Sequence, residues 1–120
     1  MYKIIFYEDS RGHAPTAEHI ETLRKQSQTS KDARINLNKI VAYLDMLEEK
    51  GTVVGEPVVK HLDGEIWEVR PLDNRILFAT YKGNIYILLH HFTKKTQKTP
   101  PQEIQQAKRN LADYRERNDV

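Results

Sequence analysis

Residues 65 to 92 read EIWEVRPLDNRILFATYKGNIYILLHHF, and the fold turns on that run. Three segments within it, Glu65 to Pro71, Arg75 to Tyr81 and Ile85 to Phe92, are rich in the β-branched and aromatic residues that suit a pleated, half-buried surface. The links Leu72-Asp73-Asn74 and Lys82-Gly83-Asn84 are too short for a crossover and carry turn residues. The three predicted strands are therefore antiparallel neighbours in a meander. Period-two alternation puts Ile66, Glu68 and Arg70 on one face of the first strand and Glu65, Trp67 and Val69 on the other, with Trp67 expected in the core. In the second strand Arg75, Leu77, Ala79 and Tyr81 share a face.

Working outward, Tyr2 to Tyr7 reads as a further strand, ended by Asp9-Ser10-Arg11-Gly12. A helix starting near Pro15 or Thr16 carries Ile20 and Leu23 on one side. A second, capped by Ser30 and stopped by Gly51, repeats Leu37, Ile40, Val41, Leu44 and Leu47 at helical spacing. The two should pack on the sheet as a helical hairpin. Downstream, Thr99 with Pro100 at the first helical position and Gln102 three residues on predicts a capping-box start, after which Ile104, Ala107 and Leu111 line one face. The expected fold class is α+β: a mainly antiparallel sheet with an N-terminal helical hairpin and a short C-terminal helix.

A chain of 120 residues has surface enough to bury one core, so residues 1–120 are expected to form a single domain. Hydrophobic residues make up 38% and charged residues 30%, a globular balance. There is no cysteine, which removes disulfides and thiolate metal sites and suits a reducing compartment; the cytoplasm is the expected location. The longest apolar run, Ile85 to Leu89, is far too short to span a bilayer, and no membrane role is expected.

A net charge of +2, from 19 basic and 17 acidic residues, conceals an asymmetry. Between Asp73 and Glu103 there is no acidic residue, while Arg75, Lys82, Lys94, Lys95 and Lys98 lie there together with Phe78, Tyr81, Tyr86 and Phe92. Cations interleaved with aromatics suit phosphates and unstacked bases, although a solvated basic face beside core aromatics has the same composition. The turn between Arg70 and Arg75 brings two guanidinium groups near each other, which is destabilising unless a carboxylate or an anionic ligand lies between them. A bound phosphate meets that need; so does Glu68, as a surface ion-pair partner of Arg70. The lysines of Phe92 to Thr99 lead into a helix N-terminus, a favourable place for phosphate, or else form a solubilising loop. His90 and His91 fall on opposite faces of one strand, and no metal-ligand spacing, nucleotide loop or nucleophile elbow is present, so neither a metal nor any other cofactor is expected.

Two blocks resemble the RelE/ParE toxin superfamily, and within it the phage-derived HigB-like branch: Lys60-His61-Leu62-Asp63-Gly64-Glu65-Ile66-Trp67-Glu68-Val69-Arg70 with Arg75-Ile76-Leu77-Phe78, and Ile87 to Pro100 with Glu103, Ile104 and Ala107. The resemblance implies a RelE-like domain with helices on one side of a sheet whose other surface receives RNA. It also implies the toxin of a type II toxin–antitoxin system, an endoribonuclease that cuts mRNA in the ribosomal A site through attack of the 2′-hydroxyl on the adjacent phosphate. Its partners would be a cognate antitoxin, of the helix-turn-helix HigA-like kind, with mRNA and the ribosome. The family's catalytic arginines correspond to Arg70 and Arg75, and its basic group to Lys94 or Lys95. Where some members carry a tyrosine this chain has Pro100 and Pro101, and His91 or His90 stands in. The chemistry asks for a base, cationic stabilisation of the pentacovalent phosphate, and a proton donor to the leaving 5′-oxygen. Glu68 or a lysine is the expected base, and His91, Lys95 or Tyr81 the expected acid. Lys60, Tyr81, Lys94 and Lys98 are the expected RNA contacts. The same residues are compatible with a ParE-like gyrase-binding toxin or a non-catalytic RNA- or antitoxin-binding module.

Overall fold

The computed structural model describes residues 1–119. Strand β1 (Lys3–Phe6) is followed by helices α1 (Pro15–Gln26) and α2 (Lys31–Lys50) and one 3-10 turn (Gly51–Val54). Strands β2 (Val59–Asp63), β3 (Ile66–Val69), β4 (Asn74–Tyr81) and β5 (Ile85–Thr93) come next, and α3 (Pro101–Asn118) closes the chain. The five strands form one sheet in the order β1-β5-β4-β3-β2, antiparallel throughout except where β1 pairs with β5 in parallel. The domain is α+β, as expected. No helix among the described residues is long and apolar enough to cross a membrane.

Local chemistry explains most boundaries. The Ser30 hydroxyl accepts from the Ala33 N–H at 3.2 Å and starts α2. Gly51 stops it with φ 70°, and a Cβ there would stand 2.7 Å from the Tyr2 ring and 2.8 Å from the Tyr86 hydroxyl oxygen. Only glycine satisfies both the left-handed backbone and that contact. The hairpin between β4 and β5 turns through Lys82 (φ 52°), Gly83 (φ 84°) and Asn84, whose N–H donates to the Lys82 carbonyl at 3.0 Å. The start of α3 differs from expectation: Pro100 occupies the N-cap position with no side-chain cap, and Thr99 uses its hydroxyl elsewhere.

Apolar packing is divided between the two faces of the sheet. Ile40 and Leu47 of α2 pack against Val59, Val69, Ile76, Phe78 and Leu88, with half-buried Trp67 at the margin. On the other face Ala107 and Leu111 of α3 pack against Ile66, Leu77, Ala79, Ile87 and Leu89. Helices therefore cover both faces, because the apolar stripe of α3 must be buried and the hairpin has filled the first face. The face expected to lie open to RNA is open only where α3 leaves it uncovered.

A bulge sets the rest of the geometry. Leu77 pairs with His90 while Phe78 pairs with Leu88, so Leu89 is an extra residue in β5. Plain alternation would have placed His91 with Ile87 and Leu89 on the α3 face. The extra residue moves His90 there instead and leaves His91 on the α1 face.

Candidate functional site

Where β3 runs out towards its turn, the α3 face of the sheet carries Glu68 and then Arg70. Glu68 is 2% exposed and Arg75 5%. The buried Glu68 carboxylate accepts a 2.7 Å hydrogen bond from the Thr99 hydroxyl through Oε1, and its Oε2 lies 3.5 Å from Arg70 Nε. Arg70 also donates from Nη1 to Glu56 Oε1 at 3.0 Å, and Glu56 is an exposed side chain. Arg70 Nε itself is buried and finds no well-aligned acceptor. The two arginines are thus reconciled by a carboxylate, and that carboxylate is interior rather than the surface partner expected for Glu68.

Arg75 has a second duty. Its Nη1 donates to the carbonyls of Leu72 at 2.7 Å and Asn74 at 2.8 Å, which fastens the turn between β3 and β4, where Leu72 has φ 59°. Burial holds the Arg75 guanidinium below the ordinary arginine range; Glu68 offsets this and the charge of Arg70 adds to it. Arg75 was expected to grip a phosphate directly, but it is a buried, backbone-bound cation beneath the site. Arg70 is the more exposed guanidinium of the pair.

These groups border a cleft of about 230 Å³ lined by Lys60, Glu68, Arg70, Gln97, Lys98 and Thr99 among others. Lys60 belongs to it because it pairs directly with Glu68 across β2 and β3 and so shares its face. Lys98 arrives from the loop between β5 and α3, where the Thr96 hydroxyl donates to its carbonyl. Lys95 is exposed on the same loop, and Lys94 is half-buried with its N–H bonded to the Asp73 carbonyl at 2.7 Å. Around the cleft, Lys60, Arg70, Arg75 and Lys98 stand against Glu68, Glu56 and Asp73, a local excess of positive charge suited to a phosphodiester.

Two expected members stand elsewhere. His91 stacks on His19 of α1 with ring centres 4.4 Å apart, on the opposite side of the sheet from Glu68 and Arg70. Burial, reinforced by His19 and His90, pushes it down to about 4. The bulge at Leu89 is the physical reason, and His91 is not placed to protonate a leaving group in the cleft. Tyr81 ends β4 six residues from Arg75, roughly 20 Å along a strand. Its hydroxyl donates to Asp119, and that bond pushes it up to about 12. It lies outside the cleft. His90, on the α3 face, holds Glu103 at 2.7 Å and ties α3 to β5.

Sequence reasoning missed Thr99 and Glu56 as members. Thr99 had been spent on a helix cap, and Glu56 lies outside any periodic segment. The signal for Thr99 was available in the proline that follows it, since Pro100 itself suits the extended N-cap backbone. Among the described residues, no group of three or more His, Cys, Asp or Glu side chains is placed to hold a metal ion.

Fold and site together define a small α+β domain with a cationic cleft built around a buried carboxylate. The chain belongs to the family described as phage derived protein Gp49-like (DUF891), whose model matches residues 21–112 and so includes the cleft residues from Glu56 to Thr99. No curated protein matches the chain.

Proposed function

We propose that this protein is the toxin of a type II toxin–antitoxin pair, a RelE/HigB-like endoribonuclease that cuts mRNA on the translating ribosome in the cytoplasm. The observation that carries the reading is the juxtaposition of Glu68 with Arg70 at a cleft rimmed by Lys60 and Lys98. Membership of a phage-derived family related to toxins of this kind supports it.

The chemistry follows from those groups. The phosphodiester displaces Glu56 from Arg70 and takes both positions of the guanidinium fork, while Arg75 adds fixed positive charge from below. The Glu68 carboxylate takes the 2′-hydroxyl proton as O2′ bonds to phosphorus, and the P–O5′ bond breaks. The departing 5′-oxygen takes its proton from the lysine segment Lys95 to Lys98, since His91 and Tyr81 lie elsewhere. The products are a 2′,3′-cyclic phosphate and a 5′-hydroxyl. Lys94 contributes charge from the same loop. A helix-turn-helix antitoxin of the HigA-like kind is the proposed inhibitor.

The test combines purified protein, programmed ribosomes and a defined message, with 5′ ends mapped by primer extension. Cuts within codons, absent with Arg70→Ala, are the expected result. A wild-type protein that leaves the message intact with and without ribosomes would overturn the reading.

A further inference from the structure

We infer that Thr99 is a positioning residue for the Glu68 carboxylate, an inference that rests on the ribonuclease reading above. Thr99 precedes the Pro100 N-cap of α3; a helix begun one residue earlier would have used its hydroxyl as the cap, yet α3 has no side-chain cap. The Thr99 hydroxyl instead crosses to β3 and donates to Glu68 Oε1 at 2.7 Å. A hydrogen bond to an ionised acceptor outweighs a capping bond, so this local competition is won by the contact with Glu68.

Among the described residues, Thr99 is the one side-chain hydrogen-bond donor to Glu68; Arg70 Nε, at 3.5 Å from Oε2, makes an ion pair without an aligned hydrogen bond. With Oε1 held, the carboxylate cannot rotate to meet the Arg70 fork with both oxygens. Arg70 stays available to a phosphate, and Oε2 stays beside the place where the adjoining ribose would lie. Without the Thr99 hydroxyl, Glu68 and Arg70 close into a two-oxygen ion pair that occupies the base and the clamp together. Thr99 also follows Lys98 directly, so the segment that supplies the proton donor also orients the acceptor.

The test measures single-turnover cleavage and affinity for a 2′-deoxy-substituted, uncleavable RNA in Thr99→Val, Thr99→Ala and Thr99→Ser, with thermal unfolding as the check on folding. Removing the hydroxyl should lower kcat about 10- to 100-fold while weakening binding of the uncleavable RNA only about two- to five-fold, the smaller effect coming from the tighter hold of Glu68 on Arg70. Thr99→Ser, which keeps the donor, should retain wild-type cleavage within a few-fold. If Thr99→Val does not fold, the comparison of Thr99→Ala with Thr99→Ser decides. Unchanged kcat in a folded variant lacking the hydroxyl, or a loss confined to KM, overturns the positioning role while wild-type cleavage upholds the parent reading. Uncleaved RNA with the wild-type protein overturns both.

Discussion

Arg70 and Arg75 are chemically identical, but their surroundings divide their work. Arg75 is buried and bonded to two carbonyls of a turn in which Leu72 holds a backbone conformation that costs about 1 kcal/mol for a side chain with a Cβ. Arg75→Ala removes charge-assisted bonds from that turn and leaves Glu68 short of a cation, so it should lower the free energy of unfolding by about 2–3 kcal/mol in urea denaturation. Arg70 is held by one exposed and one misaligned carboxylate oxygen, so Arg70→Ala should leave stability within about 1 kcal/mol of wild type. Its cleavage rate should fall by more than about 100-fold, as losing a donor to a developing phosphate charge implies. Glu56→Gln frees Arg70 from its resting partner and should tighten binding of the uncleavable RNA by about two- to five-fold, read by fluorescence anisotropy. Equal affinities in Glu56→Gln and wild type would mean that Glu56 does not compete with phosphate.

At the scale of elements, the helices and the central strands were legible because each carries its own stop and start. Ser30 caps α2, Gly51 ends it, and the Lys82-Gly83 pair fixes the last hairpin. Gly51→Ala should cost more than about 2 kcal/mol in chemical denaturation, since it imposes both a disfavoured φ and a clash with Tyr2 and Tyr86. β2 was not legible. Val59-Lys60-His61-Leu62-Asp63 is an edge strand with mostly exposed side chains, so no burial pattern marks it, and its register comes from β3. Edge position is also what presents Lys60 to the cleft. The lysine loop after β5 was legible as a basic segment but not as part of a cleft wall, because its placement depends on where α3 packs. Lys95→Ala combined with Lys98→Ala should reduce the salt dependence of RNA binding by about 1.4 units of log–log slope, single-stranded contacts being worth roughly 0.7 each. An unchanged slope would place the RNA on another surface.

The whole molecule decides which of two adjacent histidines meets which face, and this was beyond sequence reading because it depends on one inserted residue. Leu89 shifts the alternation of β5, so His90 binds Glu103 under α3 and His91 is enclosed with His19 under α1. His91 Nδ1 is buried without a hydrogen-bond partner, and an added proton would put positive charge against His19 and His90 in a desolvated place. Both His19 and His91 are lowered from the ordinary histidine value of 6.5, burial being the first cause in each, and His91 falls to about 4. The unfolded chain therefore binds more protons than the folded one below about pH 6.5, so stability is full above that value and declines as pH falls towards 4. Asp9, Asp63, Glu65 and Asp113 are lowered too, but carboxylates held in this way lose their contribution only below about pH 4. The interval between about pH 7.5 and pH 5 thus isolates the histidines. Over it the wild-type protein should lose up to about 2 kcal/mol of unfolding free energy through His91, the value that its shift implies. His91→Phe keeps an aromatic ring against His19 without a titrating nitrogen and should flatten most of that decline. RNA cleavage by the variant at pH 7.5 should match the wild type, because His91 lies on the other side of the sheet from Glu68 and Arg70. A wild-type pH slope retained in His91→Phe would assign the proton uptake to another group, and loss of cleavage at pH 7.5 would return His91 to the reaction.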